Sequence, residues 1–199
     1  VDAVTIAVPT YLHLKIAKEV ANAGVHLLVE KPLAVNSEDA LKIISEASKN
    51  DVTLAVGQIE RHNTIVQHAR KCLDNGEWGD IISLSASRFS NYPFRIRDVG
   101  VLFDLTIHDV DVLCFLANSK VTSVSTVGGY FKNHEYEDYV NLSMTFADGK
   151  IGLCQTNWLT PMKVRELNIL TTTGFVNLNY LNQEIHHRSS EYQNIDESN

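Results

Sequence analysis

Residues 24–32 read Gly-Val-His-Leu-Leu-Val-Glu-Lys-Pro, and the architecture of the chain is most apparent here. Gly24 stands where a left-handed helix stop is expected, and His26–Val29 is a short apolar run typical of a strand. The charged pair Glu30-Lys31 follows directly where that strand ends. A helix stop, a strand and a polar loop in this order predict one step of a β-α-β unit.

The preceding residues continue this pattern. Val4–Val8 is an apolar, β-branched run of the kind found in strands buried on both faces of a parallel sheet, and Pro9 ends it. Thr10 is the predicted cap of a first helix, whose inward positions are expected to be Leu12, Ile16 and Val20.

The residues that follow repeat the pattern of helix and strand. A second helix is predicted from a cap at Ser37 to Ser48, and Val52–Val56 is a third strand. The inward positions of this helix are expected to be Leu41, Ile44 and Ala47. Strands that recur about every 25 residues indicate right-handed β-α-β crossovers.

The pattern changes after a third helix, predicted from about Asn63 to Leu73. Strands then follow one another with a single helix, about Val101 to Leu116, among them. Asp148-Gly149 between two of these strands predicts a type I′ hairpin, in which both central residues have positive φ. The predicted strands are Ile81–Phe89, Val121–Tyr130, Val140–Phe146, Ile151–Trp158, Val164–Leu170 and Phe175–Tyr180.

We therefore expect an α/β half followed by an α+β half, that is, a partial parallel sheet and then a mostly antiparallel open sheet. The predicted domains are residues 1–60 and 61–188, joined near Gly57 to Asn63. Residues 189–199 are polar and are expected to form a loose tail.

Composition excludes several classes of function. The 199 residues carry 17 Lys and Arg against 24 Asp and Glu, a formal charge of −7, so nucleic acid is not an expected partner. No apolar run approaches the ~20 residues that cross a bilayer, and we expect no membrane association. Three widely spaced cysteines, Cys72, Cys114 and Cys154, are typical of free thiols in a reducing compartment and predict a cytoplasmic protein. The chain begins at Val1 without the regions of a signal peptide, and we expect it to be the middle of something larger.

The candidate site residues fall into two groups, the first at the ends of the parallel strands. Ligands of such sheets bind beyond the carboxyl ends of the strands, where Pro9, Glu30-Lys31 and Gln58 are expected to line one crevice. Lys31 is interpreted either as a cation aimed at a substrate hydroxyl or as part of a solvated turn. His13, on the first turn of the first helix, is either near this crevice or an ordinary surface residue.

The second group lies on the helix near residue 108. Asp104, His108 and Asp111 are spaced at i, i+4 and i+7, which places them within about 60° of one another on a regular helix. A carboxylate beside an imidazole orients the ring, so His108 is a candidate general base. The alternative is that Asp104 caps the helix and that the other two are exposed.

Several residues are candidates for contact with an anionic substrate, although each one alone fits a structural role equally well. They are Arg61, Asn63, Arg88, Arg97 and Arg165. Asp104 and His108 offer two metal ligands on one helical face, but the sequence holds no Cys-x-x-Cys or His-x-x-x-His spacing, and we expect no metal. A serine nucleophile is not supported, since no Gly-x-Ser-x-Gly elbow occurs.

Four ordered motifs resemble the Gfo/Idh/MocA oxidoreductase family. They are Ala7-Val8-Pro9-Thr10-x-x-His13, Gly24-Val25-His26-Leu27-Leu28-Val29-Glu30-Lys31-Pro32-Leu33, Gly57-Gln58-x-x-Arg61-x-Asn63 and Asp104-x-x-x-His108-Asp109-x-Asp111. The resemblance covers nearly all of the chain, from the late strands of a Rossmann domain through most of an antiparallel substrate domain. Residues 156–180 further resemble sugar-nucleotide dehydrogenases of the UDP-N-acetylglucosamine 3-dehydrogenase type.

The resemblance implies hydride transfer between NAD or NADP and a hydroxyl-bearing carbon of a sugar, polyol or nucleotide-sugar. In this interpretation His108 takes the hydroxyl proton, Asp104 orients it, and Lys31 steadies the developing oxyanion. Lys31 would also lie near the cofactor, together with Pro9, His13, Glu30 and Gln58. The amine of Lys31 and the imidazole of His108 are then expected to converge on one hollow.

The chain departs from the family pattern in two places. Its only glycine before Gly57 is Gly24, so the Gly-x-Gly-x-x-Gly loop that holds a pyrophosphate is not in this sequence, nor is the acidic residue that binds the ribose. Roughly 60 more residues, or two β-α-β units, would supply them, and we expect the 199 residues alone to be inactive. Residues 61–64, Arg-His-Asn-Thr, replace the commoner Arg-Phe-Asn-Pro.

Two other functions are weighed against the dehydrogenase. In the family the open antiparallel sheet commonly mediates oligomers, so a homo-oligomer is expected, and a non-enzymatic self-associating module is the main alternative. A zinc-dependent hydrolase is the other alternative, which would purify with stoichiometric metal.

Overall fold

The structure is a computed structural model that describes residues 1–93, 99–132 and 135–190. The chain divides into two compact units, Val1–Ile59 and Glu60–Asn199, and each is described by itself.

Unit 1 is built on a three-stranded sheet in the order β1-β2-β3, with both strand pairs parallel. This confirms the predicted parallel sheet of the first half. Gly24 has a φ of +71°, the left-handed conformation predicted for it. The elements are β1 (Ala3–Ile6), α1 (His13–Asn22), β2 (His26–Val29), α2 (Ser37–Lys49) and β3 (Leu54–Val56).

The sheet of unit 1 is covered on one face. Ile6 and Val29 pack with Ala17 of α1 and Ile43 of α2 in one apolar core. Side chains alternate along a strand, so their neighbours lie on the other face, where Leu28 is 42% exposed. The prediction that Val4–Val8 is buried on both faces is therefore wrong for the described residues.

The buried stripe of α1 differs from the predicted one, and that of α2 agrees with the prediction only at Ala47. In α1 the buried residues are His13, Ala17 and Ala21, each one position beyond the predicted Leu12, Ile16 and Val20. In α2 they are Ile43 and Ala47, while Leu41 is 64% and Ile44 48% exposed. The two helices pack against each other and against the sheet through Ala17, Ala21, Ile43 and Ala47, most of which are small side chains that permit close approach.

The predicted helix caps are also displaced. A 3₁₀ turn, Thr10–Leu12, precedes α1, so Thr10 caps nothing. At α2 the capping residue is Asn36 rather than Ser37, because the Asn36 side chain accepts a 2.8 Å hydrogen bond from the Asp39 N–H.

Unit 2 is a seven-stranded sheet in the order β10-β9-β8-β4-β7-β6-β5. Among the described strands of unit 2, only β4 and β7 pair in parallel, which confirms the predicted mostly antiparallel sheet. The last strand was not predicted; it ends at Ser189, and residues 191–199 of the predicted tail lie outside the described residues. The strands are β4 (Ile81–Phe89), β5 (Val121–Gly129), β6 (Tyr139–Phe146), β7 (Ile151–Asn157), β8 (Val164–Thr171), β9 (Gly174–Asn179) and β10 (Glu184–Ser189).

The hairpin between β6 and β7 is of another type than predicted. Gly149 has a φ of +87°, whereas Asp148 does not have the positive φ that a type I′ turn requires. The Gly149 N–H donates to Phe146 O and the Phe146 N–H to Lys150 O, at 3.0 and 2.9 Å. These bonds enclose a three-residue loop in which the glycine takes the left-handed position.

Two helices, α3 (Thr64–Asp74) and α4 (Ile107–Ala117), cover one face of this sheet. A π-helical turn, Leu102–Thr106, leads into α4, so the predicted regular helix from about Val101 begins with a wider turn. The other face is open, and Leu153 on it is 45% exposed.

Candidate active site

In unit 1 the predicted residue Glu30 lies against Gly57, at the end of the neighbouring strand. Glu30 and Gly57 directly follow the paired ends Val29 and Val56 of β2 and β3. The Glu30 carboxylate lies over Gly57, since a Cβ added to that glycine would be 3.1 Å from Glu30 Oε2. The same oxygen accepts a 3.2 Å hydrogen bond from the Lys31 N–H. The structure therefore fixes the loop from which Lys31 projects.

Gln58 is the next residue along this edge. Its Oε1 atom is buried and has no hydrogen-bond partner among the described residues. An unsatisfied buried acceptor carries a cost of about 1–3 kcal/mol, which a donor on a ligand would remove. Gln58 is therefore the residue of unit 1 best suited to receive a polar group.

His13 lies below the same loops and is 1% exposed. Its Nε2 atom is 2.9 Å from Val8 O, and its Nδ1 atom is 3.0 Å from Pro32 O and 3.2 Å from Leu33 O. The imidazole thus joins the end of β1 to the loop that follows Lys31. Its predicted contact with a cofactor stays a prediction, as do those of Pro9 and Glu30.

In unit 2, Asp104 lies in the π-helical turn and His108 in the first turn of α4. The angle predicted for a regular helix does not apply between them, because a π turn contains an additional residue. Such turns are frequent at functional sites. The π turn does not by itself separate Asp104 from His108, and the common face predicted for Asp104, His108 and Asp111 stays a prediction.

The π turn is held at its start by Glu137. The Val101 N–H donates to Glu137 O, and the Leu102 N–H donates to Glu137 Oε1, both at 3.0 Å. These contacts satisfy N–H groups that a helix start leaves without intrahelical partners. Gly100 makes the approach possible, because a Cβ there would overlap the Glu137 carboxylate.

Arg61 forms a two-point ion pair with α4. Its Nε donates to Asp111 Oδ2 at 2.7 Å and a terminal nitrogen donates to Asp111 Oδ1 at 2.6 Å. These hydrogen bonds raise the pKa of Arg61 above its ordinary value. Asp111, predicted to share a face with the candidate base, thus holds α4 to the 3₁₀ turn Ile59–His62.

Arg88 is buried, at 2% exposure, and it is bonded to two carboxylates. Nε and Nη2 donate to Asp109, the shortest distance being 2.8 Å, and both terminal nitrogens donate to Glu60 Oε1 at 3.1 Å. Burial acts to lower the pKa of Arg88, but the charge of Asp109 and the bonds to it outweigh burial, and the pKa is raised. This geometry favours a structural role for Arg88, and its substrate contact stays a prediction.

The remaining candidates have different surroundings. Asn63 caps α3, as its Oδ1 accepts from the Ile65 N–H at 3.2 Å, and its Nδ2 donates to Glu60. Arg165 lies opposite Arg88 across β8 and β4, so the two side chains leave the same face of the sheet. Arg97 lies outside the described residues.

Sequence reasoning missed Glu60, Asp109 and Glu137 as contributors to this region. A signal for two of them was present: the alternation in β4 places Arg88 on the same face as Leu84 and Ala86. A buried arginine requires carboxylates; Asp109 is itself in the fourth motif, where it was given no role, and Glu60 adjoins Arg61 of the third motif. Glu137 had no such signal.

Within residues 1–93, 99–132 and 135–190, no group of three or more His, Cys, Asp or Glu side chains is arranged to hold a metal ion. No helix in the same ranges is long and apolar enough to span a bilayer.

Comparison with known proteins places this geometry in a family. Residues 1–58 match the model described as an oxidoreductase family with an NAD-binding Rossmann fold, and residues 66–177 match the GFO/IDH/MocA C-terminal domain. The chain belongs to the Gfo/Idh/MocA family. This confirms the resemblance that the sequence motifs predicted and the association of the first unit with NAD.

Three relatives illustrate the similarity. UDP-N-acetylglucosamine 3-dehydrogenase of Acidithiobacillus ferrooxidans is 29% identical over 186 residues, which are 94% of this chain and 58% of that protein. One crystal structure of that enzyme matches with a TM-score of 0.87 at 28% identity, covering 95% of this chain and 61% of that one. The WlbA dehydrogenase of Bordetella pertussis, solved with NADH and UDP-GlcNAcA, matches with a TM-score of 0.87 at 26% identity, covering 98% and 61%. Inositol 2-dehydrogenase of Corynebacterium glutamicum is 34% identical over 126 residues, 62% of this chain and 37% of that protein.

The chain therefore spans about three fifths of the length of the first of these relatives. Among the described residues, the buried Gln58 Oε1 is an acceptor without a partner, which a hydroxyl or carboxamide donor of NAD would satisfy. The described residues do not include a Gly-rich loop of the kind that binds the pyrophosphate.

Proposed function

We propose that this chain is the part of an NAD(P)-dependent dehydrogenase that positions the substrate and moves its proton. The observation that carries the proposal is the Glu30-Lys31 loop at the end of β2, held over Gly57, in a unit of the NAD-binding Rossmann type. A loop at this edge of a parallel sheet is where ligands of such folds bind.

The proposed substrate is a sugar, polyol or nucleotide-sugar with an oxidisable ring hydroxyl. A nucleotide-sugar is favoured because UDP-N-acetylglucosamine 3-dehydrogenase matches along 94% of the chain, against 62% for inositol 2-dehydrogenase. Arg165 is the preferred contact for its anionic part, since Arg61 and Arg88 are bonded to carboxylates of the chain. Asn63 is the second proposed contact.

NAD or NADP would supply a nicotinamide ring that accepts a hydride. Gln58 would hold the cofactor, with Pro9, Glu30 and Lys31 beside it and with His13 acting through the loop that it joins. His108 is the proposed base for the substrate hydroxyl proton, and Asp104 its orienting carboxylate. Lys31 is the proposed cation beside the developing oxyanion. The convergence of Lys31 and His108 remains part of this proposal.

We further propose that the 199 residues alone do not turn over substrate, because their sequence holds no Gly-rich pyrophosphate loop. The decisive experiment compares the chain with a fusion in which the Gly-rich strand-turn-helix segment of the A. ferrooxidans enzyme precedes Val1. NADH formation with UDP-N-acetylglucosamine is measured for both proteins. Turnover by the fusion alone is expected, whereas turnover by neither protein would contradict the dehydrogenase assignment.

The roles of the residues are tested in that fusion. His108→Ala and Lys31→Ala are each expected to lower kcat by roughly 100-fold or more, the size of an acid-base or oxyanion contribution. Lys49→Ala, on the exposed end of α2, is the matched control and is expected to keep full activity. Unchanged turnover in both site variants would refute the catalytic assignment.

A second candidate function is self-association through the open face of the unit 2 sheet. Strands β4, β5, β6 and β7 form a cavity of about 430 Å³ there, with an uncharged lining that includes Ser85, Asn141, Leu153 and Gln155, while Glu166 of the neighbouring β8 lies on the same open face. Interfaces are depleted in charge at their centres, which favours a homo-oligomer. Light scattering of the chain and of Gln155→Lys tests this, with Ser45→Glu on α2 as control. An oligomer that only Gln155→Lys disperses is expected, and a monomeric wild-type chain would refute the proposal.

A further inference from the structure

The guanidinium of Arg88 lies inside unit 2 rather than at its surface. Its side chain is 3% exposed, that of Asp109 is 4% exposed and that of Glu60 is 12% exposed. Three charged groups are therefore enclosed together. The face of the Tyr180 ring, 5.8 Å from the guanidinium carbon, covers the arginine.

The three charged residues come from three different elements. Arg88 is on β4, Asp109 is on α4, and Glu60 is in the 3₁₀ turn Ile59–His62. The arginine thus ties the sheet, the helix and the turn to one another through one planar group. We call Glu60, Arg88 and Asp109 the buried triad.

Asp109 connects the buried triad to the candidate base, because Asp109 directly follows His108 in the first turn of α4. Fixing the Asp109 carboxylate fixes the backbone from which the His108 ring projects. A second bond acts on the same turn of the helix: Arg61, the residue after Glu60, binds Asp111. Asp109 is therefore linked to Glu60 through Arg88, and Asp111 is bonded directly to Arg61.

The geometry requires arginine. Its donors point in fixed directions, and here they reach Asp109 on one side and Glu60 on the other. The single ammonium of a lysine is a point charge and would not span both carboxylates in this way. Charge alone would therefore not reproduce the arrangement.

We propose that Arg88 is a positioning residue for His108, acting through Asp109, and that the buried triad sets the orientation of the imidazole. The proposal rests on the proposed function only in naming His108 as the base. It extends that function to a residue that touches neither substrate nor cofactor in the proposed mechanism.

The test uses NMR on the 199-residue chain, so it does not depend on turnover. The ring signal of His108 is identified among those of the eight histidines by its loss in His108→Gln. Its chemical shift and the exchange rates of the amides of residues 108–111 are measured in Arg88→Lys. The expected result is a shift larger than the linewidth and amide exchange roughly tenfold faster.

Two further variants separate positioning from general stability. In the triple variant Glu60→Gln/Arg88→Met/Asp109→Asn, the charges are removed together, which avoids leaving a buried charge without a partner. A positioning role predicts that the His108 signal stays displaced although this variant folds. Arg70→Met is the matched control: Arg70 of α3 donates at 2.6 Å to Phe115 O, which lies on α4 about two turns beyond His108. It is expected to lower stability without moving the His108 signal.

An unshifted His108 signal in both Arg88→Lys and the triple variant would overturn the proposal, and so would an equal shift in Arg70→Met. If the fusion enzyme shows no turnover while Arg88→Lys moves the His108 signal, the positioning role stands and only the proposed function fails. If the fusion enzyme turns over substrate while the His108 signal does not move in Arg88→Lys, the proposed function stands and the positioning role of Arg88 fails.

Discussion

Arg61 and Asp111 are joined by two parallel hydrogen bonds, at 2.7 and 2.6 Å, that connect a turn to a helix 50 residues away in sequence. The Arg61 side chain is 43% exposed, whereas that of Asp111 is 11% exposed. The pair therefore lies at the boundary between solvent and core, where a two-point geometry contributes more than the charge alone.

Arg61→Lys is expected to lower the free energy of unfolding by about 1 kcal/mol, because lysine keeps the charge but loses the second hydrogen bond. Urea unfolding measures the change. Lys42→Ala, which removes two exposed ion pairs on α2, is the control and is expected to change stability much less, because exposed ion pairs contribute little. An equal loss of unfolding free energy in the two variants would contradict a contribution from the two-point geometry of the Arg61–Asp111 pair.

Gly100→Ala tests the support of the π turn by Glu137. The added Cβ would overlap the end of the Glu137 side chain, which is flexible and can swing away. The loss is then that of the hydrogen bond to the Leu102 N–H, about 1 kcal/mol. In a Glu137→Ala background the same Gly100→Ala change is expected to cost close to nothing. Denaturant unfolding measures both changes. If Gly100→Ala lowers the free energy of unfolding equally in the wild-type and Glu137→Ala chains, the added Cβ clashes with a group other than Glu137.

His13→Gln tests the joint between the end of β1 and the loop after Lys31. The glutamine amide does not reproduce the placement of the two ring nitrogens between Val8 O and Pro32 O, so the hydrogen bond that the imidazole donates there is lost and a buried carbonyl is left without a donor, at about 1–3 kcal/mol. The amide of Leu33 is then expected to exchange faster with deuterium. The control is His26→Gln, because His26 is exposed and only accepts a bond from the Thr53 N–H, which a glutamine oxygen can also accept. Comparable losses in the two variants would contradict the role of His13.

The thiols provide a prediction about pH. Burial raises the pKa of Cys72 from its ordinary value of 9.0 to about 11, and burial also raises the pKa of Cys114. The thiolate is the reactive form, so the native chain is expected to react slowly with iodoacetamide at pH 8 and quickly once unfolded in urea. The unfolded thiol loses its proton at lower pH than the folded one, and stability is therefore lost as pH rises from about 9 to 11. Rapid alkylation of Cys72 in the native chain would contradict this burial.

The sequence was sufficient where a local pattern determines the structure. The predicted strand Ile81–Phe89 has the bounds of β4, and Gly24 has the left-handed conformation expected of it. Hydrophobic alternation and backbone freedom are properties of a few adjacent residues, so one sequence is enough to find them.

Prediction failed where side-chain size or distant contacts decide. Leu12 and Ile16 are more hydrophobic than His13 and Ala17, yet the latter two are buried: Ala17 packs in the core, and both ring nitrogens of His13 lie within hydrogen-bond distance of backbone carbonyls. The partners of Arg88 are 28 and 21 residues away in sequence, and no local pattern connects them. The π turn depends on Glu137, 35 residues beyond Leu102.

The parallel pairing of β4 with β7 in an otherwise antiparallel sheet has a consequence for how the domain forms. Both neighbours of β4 come from beyond residue 150, since β7 begins at Ile151 and β8 at Val164. During synthesis β4 is therefore made before both of its neighbours, and its two edges stay unpaired until more than sixty further residues have been added. Closure over such a sequence separation is slow, and an unpaired central strand is prone to aggregation. A ribosome stalled before residue 151 would thus hold a nascent chain that depends on chaperones to stay in solution.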